Sequence, residues 1–386
     1  MTMGRFGKSA LGLLLSLTTA VSVAACGSSG GSGTGAGTSS GDDENSISFM
    51  LDWTANTNHI GLYVAQELGY YKDAGIDVSI LPTSQSGAET SVETGVANVG
   101  FTTLSNVAAF DEQGSHLKFV FDLTQKQVAR WCALKSRTDI TTPKDFDGKT
   151  FVTFGSAEQT AVLQQMIKTA GGSGDFDTAT VGTSTFQTLS SGQGDFGGFY
   201  ETWEGVESKL NGPALTCFVA SDWGVPGNPD QLGFAVNSSW EKTHGATLQK
   251  FIDATARGYA YALAHPQKAA DILVSGAKDA NLDTTLTRES MKTIAAGDYW
   301  GDTSAIAAAA TASSGDNDSA GTDAGTNATA NADTADLAGL GVTDMDAAQK
   351  YIDFLWKNGV YKQDGANPAS APEASALATN SYVSGE

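Results

Sequence analysis

Twice along this chain a short run of alternating apolar residues leads into a helical pattern and then into another such run. This repeated alternation limits the possible folds more than any other feature. The first series has a strand over 46–50, where Ile47 and Phe49 alternate, then Leu62, Ala65, Leu68 and Tyr71 at helical spacing. A strand over 76–81, a polar helix and a strand over 96–101 complete it. The second series starts after Pro143, with strands over 149–154, 178–181 and 196–200 and helices over 157–170 and 186–191 between them. Strands joined through helices pair in parallel by right-handed crossovers, so two successive α/β lobes with mainly parallel sheets are expected. With 386 residues, 40% of them hydrophobic, the chain can fill two cores.

The C-terminal third offers a strand over 232–237 and a helix over 246–264, in which Leu248, Phe251, Ala254, Tyr259 and Ala262 share a face. Between 303 and 341 the composition falls to Ala, Asp, Thr, Ser, Gly and Asn, too little apolar surface to offset ordering entropy. A disordered insertion is expected there. Helical spacing returns at Met345, Ala348, Ile352 and Leu355, and the Ala-, Ser- and Pro-containing tail over 362–386 is expected to be disordered.

The N-terminus reads as a targeting segment. Arg5 and Lys8 precede an apolar run over 10–25 that is too short to span a bilayer comfortably and ends in Val23, Ala24, Ala25 and Cys26. This ending resembles a bacterial lipobox, in which Cys26 would be diacylated and become the new N-terminus. The Gly-, Ser- and Thr-rich stretch after it suits a flexible tether. The expected location is the extracytoplasmic face of the cell membrane, reached through a lipid anchor. Cys132 and Cys217 remain; an exported chain permits them to pair, and two buried free thiols fit equally well.

Charge and motif checks remove several functions. The net charge is −21, and loss of Arg5 and Lys8 makes it more negative; with no Lys/Arg block, nucleic-acid binding is not expected. Gly192, Gly194 and Gly197 match a dinucleotide fingerprint by letters, but they precede a strand candidate where they should follow one. Gly37 to Gly41 has nucleophile-elbow letters inside the tether, and Pro143 stands where a P-loop before Gly148, Lys149 and Thr150 needs its first glycine. His59, His116, His244 and His265 have no metal-ligand spacing, so neither metal nor cofactor is expected.

The informative segment follows the first strand. Trp53, Asn56, Asn58, His59 and Gly61 form the pattern W-x-x-N-x-N-H-x-G, and Gly69, Tyr70, Tyr71, Lys72, Asp73, Ala74 and Gly75 follow. An aromatic and polar groups between a strand end and a helix start lie at the carboxyl edge of a sheet, where open α/β folds bind ligands. Taken alone, the segment also fits a packing tryptophan and a helix-capping histidine.

These residues, with Glu93 to Gly100, Thr142 to Lys149, and Gly258 to Ala262 followed by His265 and Pro266, resemble the thiamine-pyrimidine-synthase-like solute-binding proteins of ABC importers. The resemblance implies a two-lobed type II periplasmic-binding fold with two crossover hinge strands, near 118–125 and 216–237. The organisation expected for the whole chain is the signal peptide over 1–25 and a tether over 26–45. Lobe 1 takes 46–125 and 230–361, including the 303–341 insertion; lobe 2 takes 126–229, and the tail is 362–386.

The resemblance further implies a monomer that closes over a thiamine pyrimidine precursor, hydroxymethyl- or formylaminomethyl-aminopyrimidine, and delivers it to permease and ATPase partners. Riboflavin or another small nitrogen or sulfonate solute is the alternative ligand, and an exported enzyme or a surface scaffold the alternative class. Expected site residues are Trp53, Asn58, His59, Thr102 and Thr103 in the first lobe. In the second they are Gly155, Ser156, Tyr200, Glu201 and Glu204, with Glu201 matching the family's carboxylate position and preferred to Glu204. The fungal synthases of this family carry a pyridoxal phosphate lysine near 100–104 and a Cys-rich cluster near 223–234. This chain has neither, so no enzyme is expected.

Overall fold

The computed structural model describes residues 44–313, 337, 339–363 and 365–383. The signal segment, Cys26 and nearly all of the tether lie outside these residues.

Alternation over Ser46–Met50 buries Ile47 and Phe49 and makes β1. Around it stand β2 (Asp77–Leu81), β3 (Val99–Thr103), β4 (Leu117–Asp122) and, after a long excursion, β10 (Leu232–Asn237), in the order β2-β1-β3-β10-β4. The excursion builds β5 (Ala129–Leu134), β6 (Thr150–Thr153), β7 (Asp177–Thr180), β8 (Phe196–Tyr200) and β9 (Leu215–Phe218), in the order β7-β6-β8-β5-β9. Both sheets share one plan: three parallel strands, then a strand antiparallel to both its neighbours. Each sheet is therefore mixed rather than mainly parallel. The antiparallel member, β5 or β10, is the one that arrives from the other lobe, so its direction is set by the crossover and not by a helix return. Two five-stranded sheets linked by two crossovers make the two-lobed periplasmic-binding-protein fold.

The helices are α1 (Ile60–Glu67), α2 (Tyr70–Asp73), α3 (Gly87–Glu93), α4 (Leu104–Asp111), α5 (Ala157–Thr169), α6 (Thr185–Ser190) and α7 (Glu204–Asn211). After β10 come α8 (Ser238–Ala264), α9 (Pro266–Gly276), α10 (Thr284–Gly297), α11 (Thr303–Ser313), α12 (Met345–Lys357) and α13 (Ala374–Leu377). Among the described residues no helix is long and apolar enough to cross a membrane.

Helices α1 and α8 touch backbone to backbone. A Cβ on Gly258 would lie 2.1 Å from the carbonyl oxygen of Gly61, and one on Gly61 would meet the Tyr259 ring at 2.5 Å. Two of the sequence patterns named above, the glycine after His59 and the Gly258–Tyr259 pair, thus meet in one helix crossing. This closeness lets the Tyr259 hydroxyl donate to the Asn58 carbonyl at 2.6 Å, tying α8 to the loop after β1. Phe49, Phe101, Phe234 and Phe251 pack beneath, with centroid separations of 5.1–6.3 Å in edge and tilted arrangements.

Two C-terminal expectations change, and one open question is settled. The tail is ordered over the residues described: Ala374, Leu377, Ala378 and Val383 are buried, Thr379 N–H donates to Phe119 at 2.9 Å, and Lys118 Nζ donates to the Ala376 carbonyl at 2.7 Å. Small apolar residues suffice there because they cover β4, an existing sheet edge. The expected insertion begins with α11, which buries Ile306, and ends with Leu337 and Leu340 in the core; 314–336 lie outside the described residues. Cys132 and Cys217, left open above, form a disulfide between directly opposed positions of β5 and β9.

Candidate functional site

The carboxyl ends of β1, β3, β6 and β8 face one another across the two lobes, and the loop after β1 is held by its own residues. Asn56 Oδ1 accepts the Asn58 N–H at 2.9 Å, while the Asn56 N–H is given to His59 Nδ1 at 3.1 Å. Because Nδ1 accepts, the ring proton sits on Nε2, which donates to Asp52 Oδ1 at 2.9 Å. His59 is fully buried, with Phe101 edge-on at 4.8 Å. Both its nitrogens are engaged, so it shapes the loop and does not face the cleft with a free donor. Asn58, half-buried, has no side-chain partner among the described residues.

The threonines expected as ligand contacts have structural partners. Thr102 donates to Glu89 Oε1 at 2.6 Å, and the same oxygen takes Asn106 Nδ2 at 2.8 Å. Thr103 caps α4 by accepting the Asn106 N–H. Ser105, one residue into that helix, reaches the opposite lobe and donates to Glu158 Oε2 at 2.9 Å, while Tyr351 of α12 donates to Glu158 Oε1 at 2.6 Å.

On the β6 side the Gly155 N–H is taken by Thr153 Oγ1 at 2.9 Å, and Ser156 caps α5. With Glu158 in the first turn, the positive end of that helix already meets a carboxylate. Ahead of the turn stands Phe154, whose ring meets Trp53 of the other lobe at 6.0 Å.

Beyond β8, Tyr200 and Glu201 diverge. Tyr200 is half-buried, its hydroxyl has no protein partner among the described residues, and desolvation holds its phenol well above the usual range. Asp230, Asp52, Glu158 and Glu204 all lie within electrostatic reach of it. Burial pushes Glu158 and Glu204 each up to about 7, and Asp230 up to about 6. Glu204 Oε2 takes the Tyr200 N–H at 3.0 Å. Asp230 Oδ2 accepts the N–H groups of Val128 and Ala129, both at 2.8 Å, which joins the two crossovers.

Glu201 instead pairs with Arg130 Nε at 3.1 Å and Lys209 Nζ at 2.8 Å. Partial burial raises it, but Lys209 and Arg130 outweigh that and hold its carboxyl below the usual range. Asp230, Asp52, Glu158 and Glu204 thus stand around Tyr200, Trp53 meets Phe154, and Glu201 is set among cations.

A buried chain completes the contact between lobes. Ser290 of α10 donates to the Thr202 carbonyl just beyond β8, and its oxygen lies 2.7 Å from Thr57 Oγ1 in the loop after β1. Asp52, Phe154, Glu158, Asp230 and Ser290 escaped the sequence reading. Asp52 and Phe154 stood beside residues already singled out and could have been found; a lone serine on an amphipathic helix carries no signal. Among the described residues no group of three or more His, Cys, Asp and Glu side chains could hold a metal ion.

Comparison with known proteins identifies a family and a fold. The family described as "NMT1/THI5 like" matches residues 56–269. A curated formylaminopyrimidine-binding protein of Halalkalibacterium halodurans is 27% identical over 62% of this chain and 74% of its own length. A 4-amino-5-hydroxymethyl-2-methylpyrimidine phosphate synthase of Candida albicans is 29% identical, over 24% of this chain and 27% of its own length. Among solved structures, the ligand-binding component of an ABC-type import system from Staphylococcus aureus, with zinc bound, superposes with a TM-score of 0.56. It is 11% identical, and the match covers 88% of this chain and 98% of that one.

Proposed function

The chain belongs to the NMT1/THI5-like family, and from that premise we propose that it is the solute-binding component of an ABC importer for an aminopyrimidine precursor of thiamine. The observation that carries this reading is the set of carboxylates around the unpartnered Tyr200 hydroxyl: Asp52, Glu158, Glu204 and Asp230. A sulfonate or other anion would add negative charge beside four carboxyl groups, one of which, Glu158, already stands in the first turn of α5. A neutral or protonated aminopyrimidine brings N–H donors to those carboxylates and a flat face to Trp53. The halalkaliphile's protein, whose name states formylaminopyrimidine binding, supports the same ligand class. Riboflavin is the second reading, since it also offers a flat nitrogen heterocycle.

In this account Glu204 accepts from the exocyclic amine and shares a proton with the ring, Tyr200 and Asn58 supply neutral polar contacts, and Trp53 stacks. Glu201 acts at one remove, by holding Arg130 and Lys209. The lobes comprise 46–125 with 230–361, and 126–229. Ligand favours closure because it gains contacts in both. Cys26 carries the lipid that keeps the protein at the extracytoplasmic face, and a permease reads the closed form. The stretch 100–104 lacks a lysine, in keeping with a binding protein rather than a synthase.

The test is thermal unfolding of the chain from Gly27 with hydroxymethyl-aminopyrimidine, formylaminomethyl-aminopyrimidine, thiamine, riboflavin and taurine. A ligand at about 100 times its Kd adds about 2.7 kcal/mol, a plain upward shift in Tm. A shift with either pyrimidine precursor supports the reading; a shift with riboflavin alone moves the ligand; a shift with taurine alone overturns it.

A further inference from the structure

We propose that Phe154 is the second wall of an aromatic slot whose first wall is Trp53, and that a planar heterocycle binds by entering between the two rings. The inference rests on the reading that the ligand is flat and aromatic, and it names the residue that selects for flatness.

Phe154 is 47% exposed, and among the described residues it is the only aromatic in the group of exposed large hydrophobics, with Leu68, Val96 and Leu210. A phenylalanine left this open gains little from folding, so its place needs a reason other than packing. Neither Phe154 nor Trp53 packs into the hydrophobic cores of the molecule. They meet each other instead, one from the end of β6 and one from the end of β1, with an interplanar angle of 69°.

Both rings are mounted on fixed backbone. The turn that carries Phe154 is set by Thr153, whose hydroxyl accepts the Gly155 N–H at 2.9 Å and donates to Gln159 Oε1 at 2.8 Å. Gly155 has a φ of +104°, which a side-chain-bearing residue rarely adopts, so the chain turns sharply straight after Phe154. Trp53 follows Asp52, which the buried His59 holds at 2.9 Å.

The distance matches a slot occupied by its own two walls. A ring stacked on both faces needs its walls about 7 Å apart, two van der Waals spacings of ~3.5 Å. The observed centroid separation is 6.0 Å with the rings edge to face. Turning the Phe154 ring towards parallel and parting the lobes by about 1 Å admits a flat ligand while trading one aromatic contact for two. A tetrahedral sulfonate has no face to offer and would only break the Trp53–Phe154 contact. The slot thereby adds shape selection to the charge selection of the carboxylates.

The experiment is calorimetric titration of the full exported chain with hydroxymethyl-aminopyrimidine and, separately, riboflavin. Wild type is compared with Phe154→Leu and Phe154→Trp, with Tm of the unliganded proteins as a folding check. Phe154→Leu keeps apolar bulk but removes the ring; it should weaken binding by about tenfold or more while Phe154→Trp stays within about threefold of wild type. Unliganded Tm should stay within about 2 °C, because the side chain is outside the hydrophobic cores. If Phe154→Leu binds the pyrimidine as well as wild type does, the slot is wrong and the proposed function stands. If riboflavin alone binds and depends on Phe154, the slot stands and the ligand assignment fails. If wild type binds neither compound, both fall.

Discussion

The loop that follows β1 and the loops that follow β6 and β8 occupy matching places in two sheets of one plan, yet they are held in different ways. After β1, Asn56, His59 and Asp52 hydrogen-bond one another, and Tyr259 and Ser290 tie the loop to helices behind it. After β6 and β8, the polar groups that matter look outward: Glu158 finds its donors in the other lobe, Glu204 is met by backbone N–H groups, its own and that of Tyr200, and the Tyr200 hydroxyl has no partner among the described residues. One lobe offers a braced wall, and the other offers chemistry completed only by what lies across the cleft. A buried carboxylate with spare acceptor capacity is costly in the unliganded protein. That cost is what a ligand with N–H donors removes.

The largest expected effect tests the bracing. Gly258→Val drives a side chain into the Gly61 carbonyl, so it should destabilise by more than about 3 kcal/mol, read as a fall in Tm by scanning calorimetry. Among the described residues no such glycine-to-backbone helix crossing braces the other sheet. There the disulfide between β5 and β9 spans 85 residues, and replacing Cys132 and Cys217 with serine should cost about 2–3 kcal/mol in chemical denaturation. If the glycine change were harmless, the braced-wall half of the comparison would be lost.

Ser290→Ala sharpens the comparison by cutting a buried chain that touches a loop of each lobe. Leaving the Thr202 carbonyl without its donor should cost about 1–2 kcal/mol, and ligand affinity should fall with it, because both loops shift. Unchanged affinity in a destabilised variant would mean that Ser290 only packs.

The smallest effect is in pH. With its carboxyl raised to about 7, Glu204 and a pyrimidine ring share one proton when paired. Above pH 7 the free partners have lost that proton, so binding must take one up, and affinity should fall as pH rises from 7 to 9. Asp52, Glu158 and Asp230 face the same centre, and Arg130 lies near Asp230. Titration calorimetry across that range checks the slope, which Glu204→Gln should flatten and Glu201→Gln should leave intact.

Much of the fold could be read from the chain alone because the strands announce themselves by local alternation. The segments 46–50 and 232–237 match β1 and β10. Pairing direction was less legible, since β5 and β10 take theirs from the other lobe. The order of the tail is not legible in its composition, which measures only what a segment can bury by itself; Ala374, Leu377 and Val383 are buried against a surface already folded. In the site, aromatic and carboxylate residues at strand ends could be named, including Trp53, Tyr200 and Glu204. That Glu201 pairs with Arg130 and Lys209 while Glu204 does not was illegible, because the positions of those cations are set by tertiary structure.

The most direct measurement is calorimetric titration of hydroxymethyl-aminopyrimidine into wild type, Glu204→Gln and Glu201→Gln, with folding checked by Tm. The account expects Glu204→Gln to weaken binding by about tenfold or more, as loss of a charge-assisted pair should, and Glu201→Gln to change it by about threefold at most. A loss confined to Glu201→Gln, or no binding to wild type, would contradict it.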